Sequence, residues 1–282
     1  SGVSGHGITS FYYPPVAETN CNGCHMPLHP SSDFGARRDF DDSGIAKVHD
    51  HQFPSANTAI PTMVDMPDPE EAIAAHQEFL EGVMRVDIFG VREEGRIDGE
   101  LTAPIRPDVP VLTPGESYLL DIIIRTVKMG HVFTQGTADS NQVWLEVTVT
   151  SGGSIIGASG SMDDQGQVDP WSHFVNAFVI DRDGRRIDRR NAQDIFTAVY
   201  NHQIPPGAAD AIHYLLDVPD DAESELTVAV RLLYRKFDTT YMRFVHDDPA
   251  WINDLPVTVL AEDSVTFPVT ADEGEVPVQV SE

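Results

Sequence analysis

From Val83 onward the chain alternates apolar and polar residues, or runs through short apolar stretches broken by turn residues. A period of two puts successive side chains on opposite faces of an extended backbone, so these stretches predict half-buried strands. They are MRVDIFGV, SYLLDIIIRTV, QVWLEVTVT, SIIGAS, FVNAFVID, AIHYLLDV, LTVAVRLLY and SVTFPV. Asp183-Gly184 predicts a hairpin turn between Ile180 and Ile187, and Pro114-Gly115 and Gly152-Gly153 punctuate further turns. Short strands with frequent turns and little helix predict a mainly β chain, an antiparallel β-sandwich of immunoglobulin-like type.

One stretch changes the period. In DPEEAIAAHQEFLEG, Ile73, His76, Leu80 and Val83 recur at helical spacing. Asp68 is the expected N-cap, Pro69 the first helical residue and Glu71 the closing member of a capping box, with the helix running to about Leu80. Before it, residues 1–66 show clustered Pro, Asp, Ser and His and little periodicity, too little apolar surface to order the segment alone. The expected organisation is therefore an irregular segment at 1–66, a connecting helix at 67–83 and a β-sandwich at 84–282 with an acidic tail.

A chain of 282 residues with 41% hydrophobic residues supports a real core, and no apolar run approaches the ~20 residues of a membrane helix. The start SGVSGHGITS lacks the basic and apolar regions of a leader, so the chain is expected to begin at a processed end or inside a longer polypeptide. Forty-five acidic against 18 basic residues give a formal charge of −27. That density repels phosphate backbones and anionic lipids, which argues against nucleic acid as a partner and fits an exported or salt-adapted surface.

The chemistry concentrates in CNGCH, residues 21–25. In CxxCH the two thiols, here Cys21 and Cys24, add to the vinyl groups of a haem, and the loop between them returns the adjacent imidazole, His25, to the iron. A zinc half-site and a redox dithiol are the competing readings. Zinc wants four N or S ligands, and a thioredoxin-like dithiol wants a strand-to-helix turn that the Pro-rich surroundings do not suggest. With both cysteines consumed, the expectation is one covalent haem c per chain. The occupant of the sixth iron position decides between electron transfer and catalysis. His29, His49, His51, His76 and His131 are candidates, with Met63, Met66 and Met129 as the thioether alternative. His49 and His51 alternate in an extended run, so at most one easily reaches a given iron. His173, His202, His213 and His246 read as ordinary hydrogen-bonded residues. Asp181, Asp183 and Asp188 have a partial calcium-loop look but lack the closing Glu, and read as a turn.

The runs CNGCHMP, HDHQFPSANTAIP, GHVFTQGTADSNQVWLEV, GRRIDRRNAQDIF, NHQIPPGAA and YRKFDTTYMRFV resemble a family of exported bacterial proteins related to multihaem cytochromes. In that family a haem-binding region precedes a β-rich domain, and tetratricopeptide repeats often follow. The resemblance covers roughly residues 1–270. It implies covalent haem, bis-histidine ligation and an electron-transfer setting, and makes His51 and His131 the preferred iron ligands or haem neighbours. Relatives often carry several CxxCH motifs, whereas this chain has one and stops where the repeats would start.

The function expected is that of a periplasmic or extracellular c-type cytochrome, carrying electrons to other redox proteins or serving as a subunit of a larger electron-transfer complex. Two other classes remain: a docking module in which haem merely organises residues 1–66, and a catalytic haem with an open iron site. The distal ligand expected first is His51, which the flexible run RRDFDDSGIAK can carry across the ring edge, with His131 next. Phe53 and Met26 are expected to contact the porphyrin.

Overall fold

The computed structural model describes residues 21–135 and 138–270. Two four-stranded antiparallel sheets dominate it. The first contains β3 (Met84–Arg92), β4 (Leu101–Thr102), β5 (Ser117–Thr126) and β10 (Ala209–Asp217), in the order β10-β5-β3-β4. The second contains β6 (Gln142–Ser151), β7 (Ser154–Ser159), β11 (Glu225–Arg235) and β12 (Val257–Pro268), in the order β12-β11-β6-β7. The alternation read from sequence is the burial pattern observed. Met84, Val86 and Ile88 of β3 and Leu226, Val228, Val230 and Leu232 of β11 point into one core, with Leu120, Ile122 and Ile124 of β5 and Leu145 and Val147 of β6. The chain is thus the mainly β sandwich its periodicity predicts.

Gly152 and Gly153 both adopt positive φ, as the two-residue turn between β6 and β7 requires. At Asp183-Gly184 the chain also turns tightly: Asp181 N–H donates to the Arg185 carbonyl, and Ile187 N–H to that of Val179. The carboxylate of Asp181 accepts from the N–H groups of Asp183 and Arg185, which is turn chemistry rather than a calcium loop.

Three expectations change. β8 is shorter than its apolar run, Ala177–Ile180, and pairs with β9 (Thr197–Asn201), a strand whose sequence alternation is weak, in a separate two-stranded sheet. A helix, α4 (Thr239–His246), follows β11 unpredicted, with Asp238 capping it by accepting from Tyr241 N–H. The helix over 67–83 is α3 (Pro69–Leu80), but its capping box is not made: Asp68 sits in the left-handed region and its side chain makes no cap bond.

The C-terminal end of β11 serves more than the central core. Leu233, on the face of β11 opposite Leu232 and Tyr234, packs with Trp144 and Val168 under the 160–175 loop. Beyond it, Phe237 joins Met242 and Leu255 with Ala59, which fastens the N-terminal segment to the sandwich. That segment holds a short helix, α1 (Asn22–His25), two paired strands, β1 (Leu28–Pro30) and β2 (Lys47–His49), and a second short helix, α2 (Ile60–Met63).

Candidate functional site

Cys21, Cys24 and His25 lie on one turn. The His25 N–H donates to the Cys21 carbonyl at 2.9 Å, which winds the three side chains together, and no disulfide joins the two thiols. The chain beyond is zipped down. Leu28 pairs with His49, Asp50 N–H donates to the Pro27 carbonyl, and the His49 Nδ1 donates to the Met26 carbonyl.

These residues form one wall of a cleft of about 970 Å³, at the upper end of the ~300–1,000 Å³ typical of cofactor sites. The other walls come from residues 54–57, from Phe79, Leu80 and Val83 at the end of α3, from the 128–135 loop and from Lys236 after β11. The cleft therefore lies between the N-terminal segment and the sandwich, and needs both.

His25 and His131 face each other here. Their rings are parallel to within 5° with centroids 6.3 Å apart. A carbonyl oxygen can only accept, so each imidazole's tautomer follows from its partner. His25 Nδ1 lies 2.8 Å from the Pro54 carbonyl and His131 Nδ1 lies 2.9 Å from its neighbour Val132's, so in the neutral form of both rings Nδ1 carries the proton and Nε2 the lone pair. An imidazole that donates from one nitrogen is oriented and made more basic at the other, the usual arrangement of a metal-binding histidine. Two imidazoles bound to opposite sides of one metal, at bond lengths of about 2 Å, hold their ring centres a little over 6 Å apart.

The remaining lining suits a large planar, largely apolar group with anionic arms. Phe79 lies 5.3 Å from the His25 ring, and Met129, Phe133, Leu80 and Val83 add apolar surface. Thr134 Oγ1 and Asn141 Oδ1 are buried on this lining without a hydrogen-bond partner. The charged lining consists of Lys128 and Lys236 together with Asp50, Glu78 and Glu81. Asp50 is engaged by His29 at 3.3 Å. Burial, with repulsion from Arg190 second, holds the Lys236 ammonium down to about 8, a cation that an anionic group in the cleft would stabilise. Two thiols, two oriented imidazoles, an apolar slot and two lysines are a donor set into which a covalent haem fits.

Other residues singled out from sequence stand elsewhere. His51 is exposed, lies against the half-exposed Phe53 and is not on the cleft lining; neither are Phe53 and Met26. The alternation expected of VHDHQFP is the reason: His49 turns inward to the Met26 carbonyl, which sends His51 out. His76 accepts the Ser55 N–H at Nδ1 and so braces residues 54–55 behind His25. Met63 and Met66 are exposed, whereas Met129 is buried in the lining. Sequence reading missed Phe79, Phe133, Lys128, Lys236 and the Pro54 carbonyl. Phe79 stands beside Leu80 and Phe133 two residues after His131, and no local pattern sets either apart.

No family model matches the sequence, and no curated protein matches it. Among solved structures the chain is similar to a penta-haem cytochrome c552 from Thermochromatium tepidum, at 13% identity and a TM-score of 0.49, over 88% of this chain and 48% of that one. It is also similar to the sporulation control protein Spo0M from Bacillus subtilis, at 11% identity and a TM-score of 0.27, over 67% of this chain and 50% of that one. The chain thus spans about half the length of these two proteins, and likenesses of this degree assign it no function. No helix among the described residues is long and apolar enough to cross a membrane.

Proposed function

We infer that this chain is a c-type cytochrome that holds one haem in the cleft, with Cys21 and Cys24 as the thioether attachment points and His25 and His131 as the two axial ligands. The observation that carries the reading is the parallel His25–His131 pair, 6.3 Å between centroids, with Nδ1 of each ring engaged by a backbone carbonyl and Nε2 left for a metal. It favours His131 over His51, which is outside the lining.

When bound, the haem supplies a one-electron couple at its iron. The chain's residues do the rest. The Pro54 and Val132 carbonyls fix the tautomer and tilt of the two imidazoles, so neither ring has to reorganise when the metal's charge changes. Phe79, Phe133 and Met129 exclude water from the slot, and Lys128 and Lys236 are the residues available to the propionates. With His25 and His131 both holding the metal, no position would be left for a substrate there, which favours electron transfer over catalysis. Thioether attachment takes place outside the cytoplasmic membrane, so the reading carries an exported location and a redox protein as partner.

Expression in a host that matures c-type cytochromes tests this. The chain should stain for haem on a denaturing gel, and its visible spectrum should be low-spin. His131→Ala should give a high-spin iron that binds added imidazole, and His51→Ala should leave the spectrum unchanged. An unstained chain overturns the cofactor. A low-spin spectrum that survives His131→Ala overturns the ligand assignment.

A further inference from the structure

At another place in the molecule, three elements converge on a second set of donor atoms that the haem reading leaves unused. His173 precedes the bridge of Phe174 to Trp144, and its carbonyl is pinned by Leu145 N–H of β6 at 3.0 Å. His202 follows β9 directly, its N–H donating to the Asn176 carbonyl at 3.0 Å. Asp210 lies in β10, opposite Ile124 of β5. Far apart along the chain, the three bring one ligand atom each to within 4.8 Å of one another. Asp210 Oδ2 stands 3.1 Å from His202 Nδ1 and 3.5 Å from His173 Nε2.

From these contacts we propose that His173, His202 and Asp210 form a binding site for a divalent first-row transition ion, of which Zn²⁺ is the representative. Two imidazoles and one carboxylate are the facial donor set that such ions favour, whereas Mg²⁺ and Ca²⁺ prefer oxygen ligands throughout. The His173 Nε2 is buried and has only the Asp210 carboxylate in reach, at 3.5 Å and too far for a well-formed hydrogen bond, so a bound ion gives it a closer partner. The His202 ring is held in place from outside: Tyr200 stacks on it at 4.4 Å, and the Tyr200 hydroxyl in turn donates to the Phe174 carbonyl at 2.6 Å. Access is graded. The side chain of His173 is 15% exposed, that of Asp210 30% and that of His202 42%, so an ion enters from the His202 side and keeps positions open to water. The site ties the small β8–β9 sheet and the 171–174 turn to the edge strand β10 of the first sheet.

The inference is independent of the haem reading, and the experiment keeps the two apart. The purified full chain, stripped with chelator, is incubated with an equimolar amount of Zn²⁺, separated from free metal and analysed by mass spectrometry for zinc. One zinc per chain is expected in the wild type and in Cys21→Ser/Cys24→Ser, whose thiols are gone. His202→Ala, on an exposed side chain that the core does not need, and Asp210→Asn should each weaken binding at least tenfold. The thermal midpoint should rise with zinc concentration in the wild type and stay constant in these variants. Absence of zinc from the wild type, or equal zinc in the wild type and both folded variants, overturns the site and leaves a plain His–Asp–His hydrogen-bond cluster. Zinc that disappears only in the cysteine variant also overturns it, by assigning the metal to Cys21 and Cys24.

Discussion

Replacing Tyr234 by Phe removes one oxygen from the middle of the molecule and tests how the sandwich controls the cleft. Tyr234 is fully buried near the end of β11, 5.5 Å from the Phe133 ring, and its hydroxyl donates to the Ala56 carbonyl at 2.5 Å. Burial pushes its phenol well above the ordinary range, so it remains a donor at any pH the protein tolerates. Phe fills the same space without creating a cavity, and what is lost is the partner of a carbonyl in a packed region. Leaving a buried acceptor unsatisfied costs about 1–3 kcal/mol, against the ~0.5–1.5 kcal/mol net worth of an average hydrogen bond. Every 1.4 kcal/mol is about tenfold in the equilibrium constant, so the variant's unfolding constant should rise by roughly five- to a hundredfold. Ala56 adjoins Ser55 and Pro54, whose groups hold His76 and His25. On the haem reading proposed above, the loss should show twice in equilibrium urea unfolding, as a lower midpoint by tryptophan fluorescence and as an earlier change in the haem absorbance. The reasoning fails if the variant loses less than about 0.5 kcal/mol, or if fluorescence shifts while the haem transition stays put.

Two further expectations concern neighbouring groups. Burial, with the Lys236 charge a smaller contribution, holds His76 below its ordinary 6.5, so the unfolded chain binds more protons just below that pH. The His76 contribution to stability should be level above pH 6.5 and fall as the pH drops below it; in His76→Gln, which can still accept from Ser55 N–H, that part of the slope in stability against pH should vanish. Arg235 is fully buried, and its guanidinium donates to the carbonyls of Gly166 at 2.7 Å and Asn253 at 3.3 Å. Arg235→Met should leave the Asn253 carbonyl and Gln142 Oε1 without the guanidinium, while the Gly166 carbonyl keeps the Thr239 hydroxyl, and should cost roughly 3–5 kcal/mol by calorimetry; a cost under about 1 kcal/mol would show that water replaces the guanidinium.

The sandwich was legible because its strands obey one local rule. Met84, Val86 and Ile88 announce a buried face without reference to any other part of the chain, and Gly152-Gly153 can do little but turn. The motif Cys21, Cys24 and His25 was legible for the same reason, being chemistry compressed into one helical turn. What was not legible depends on contacts between distant segments. The flexible run RRDFDDSGIAK puts His51 ahead of His131 in the sequence; the pairing of His49 with the Met26 carbonyl, which turns His51 outward, leaves no trace in the residues. Lys236 reads as an exposed charge at the end of a strand, and only the packing of β11 behind the cleft brings it to the lining. The same holds for His173, His202 and Asp210, each an ordinary residue until three separate elements meet.

The cleft has one wall that is local in sequence and another that is not, and this sets an order of events during maturation. Cys21, Cys24 and His25 sit on a single turn of a segment with little core of its own, so they are presentable to attachment machinery while the rest of the chain is still unfolded. His131 arrives only when β5 and β6 have paired with their neighbours and the loop between them has closed over Phe79. On the reading proposed above, the iron's colour would then report the assembly of the β-domain, and a half-ligated spectrum would mark a chain that carries its cofactor but has not folded.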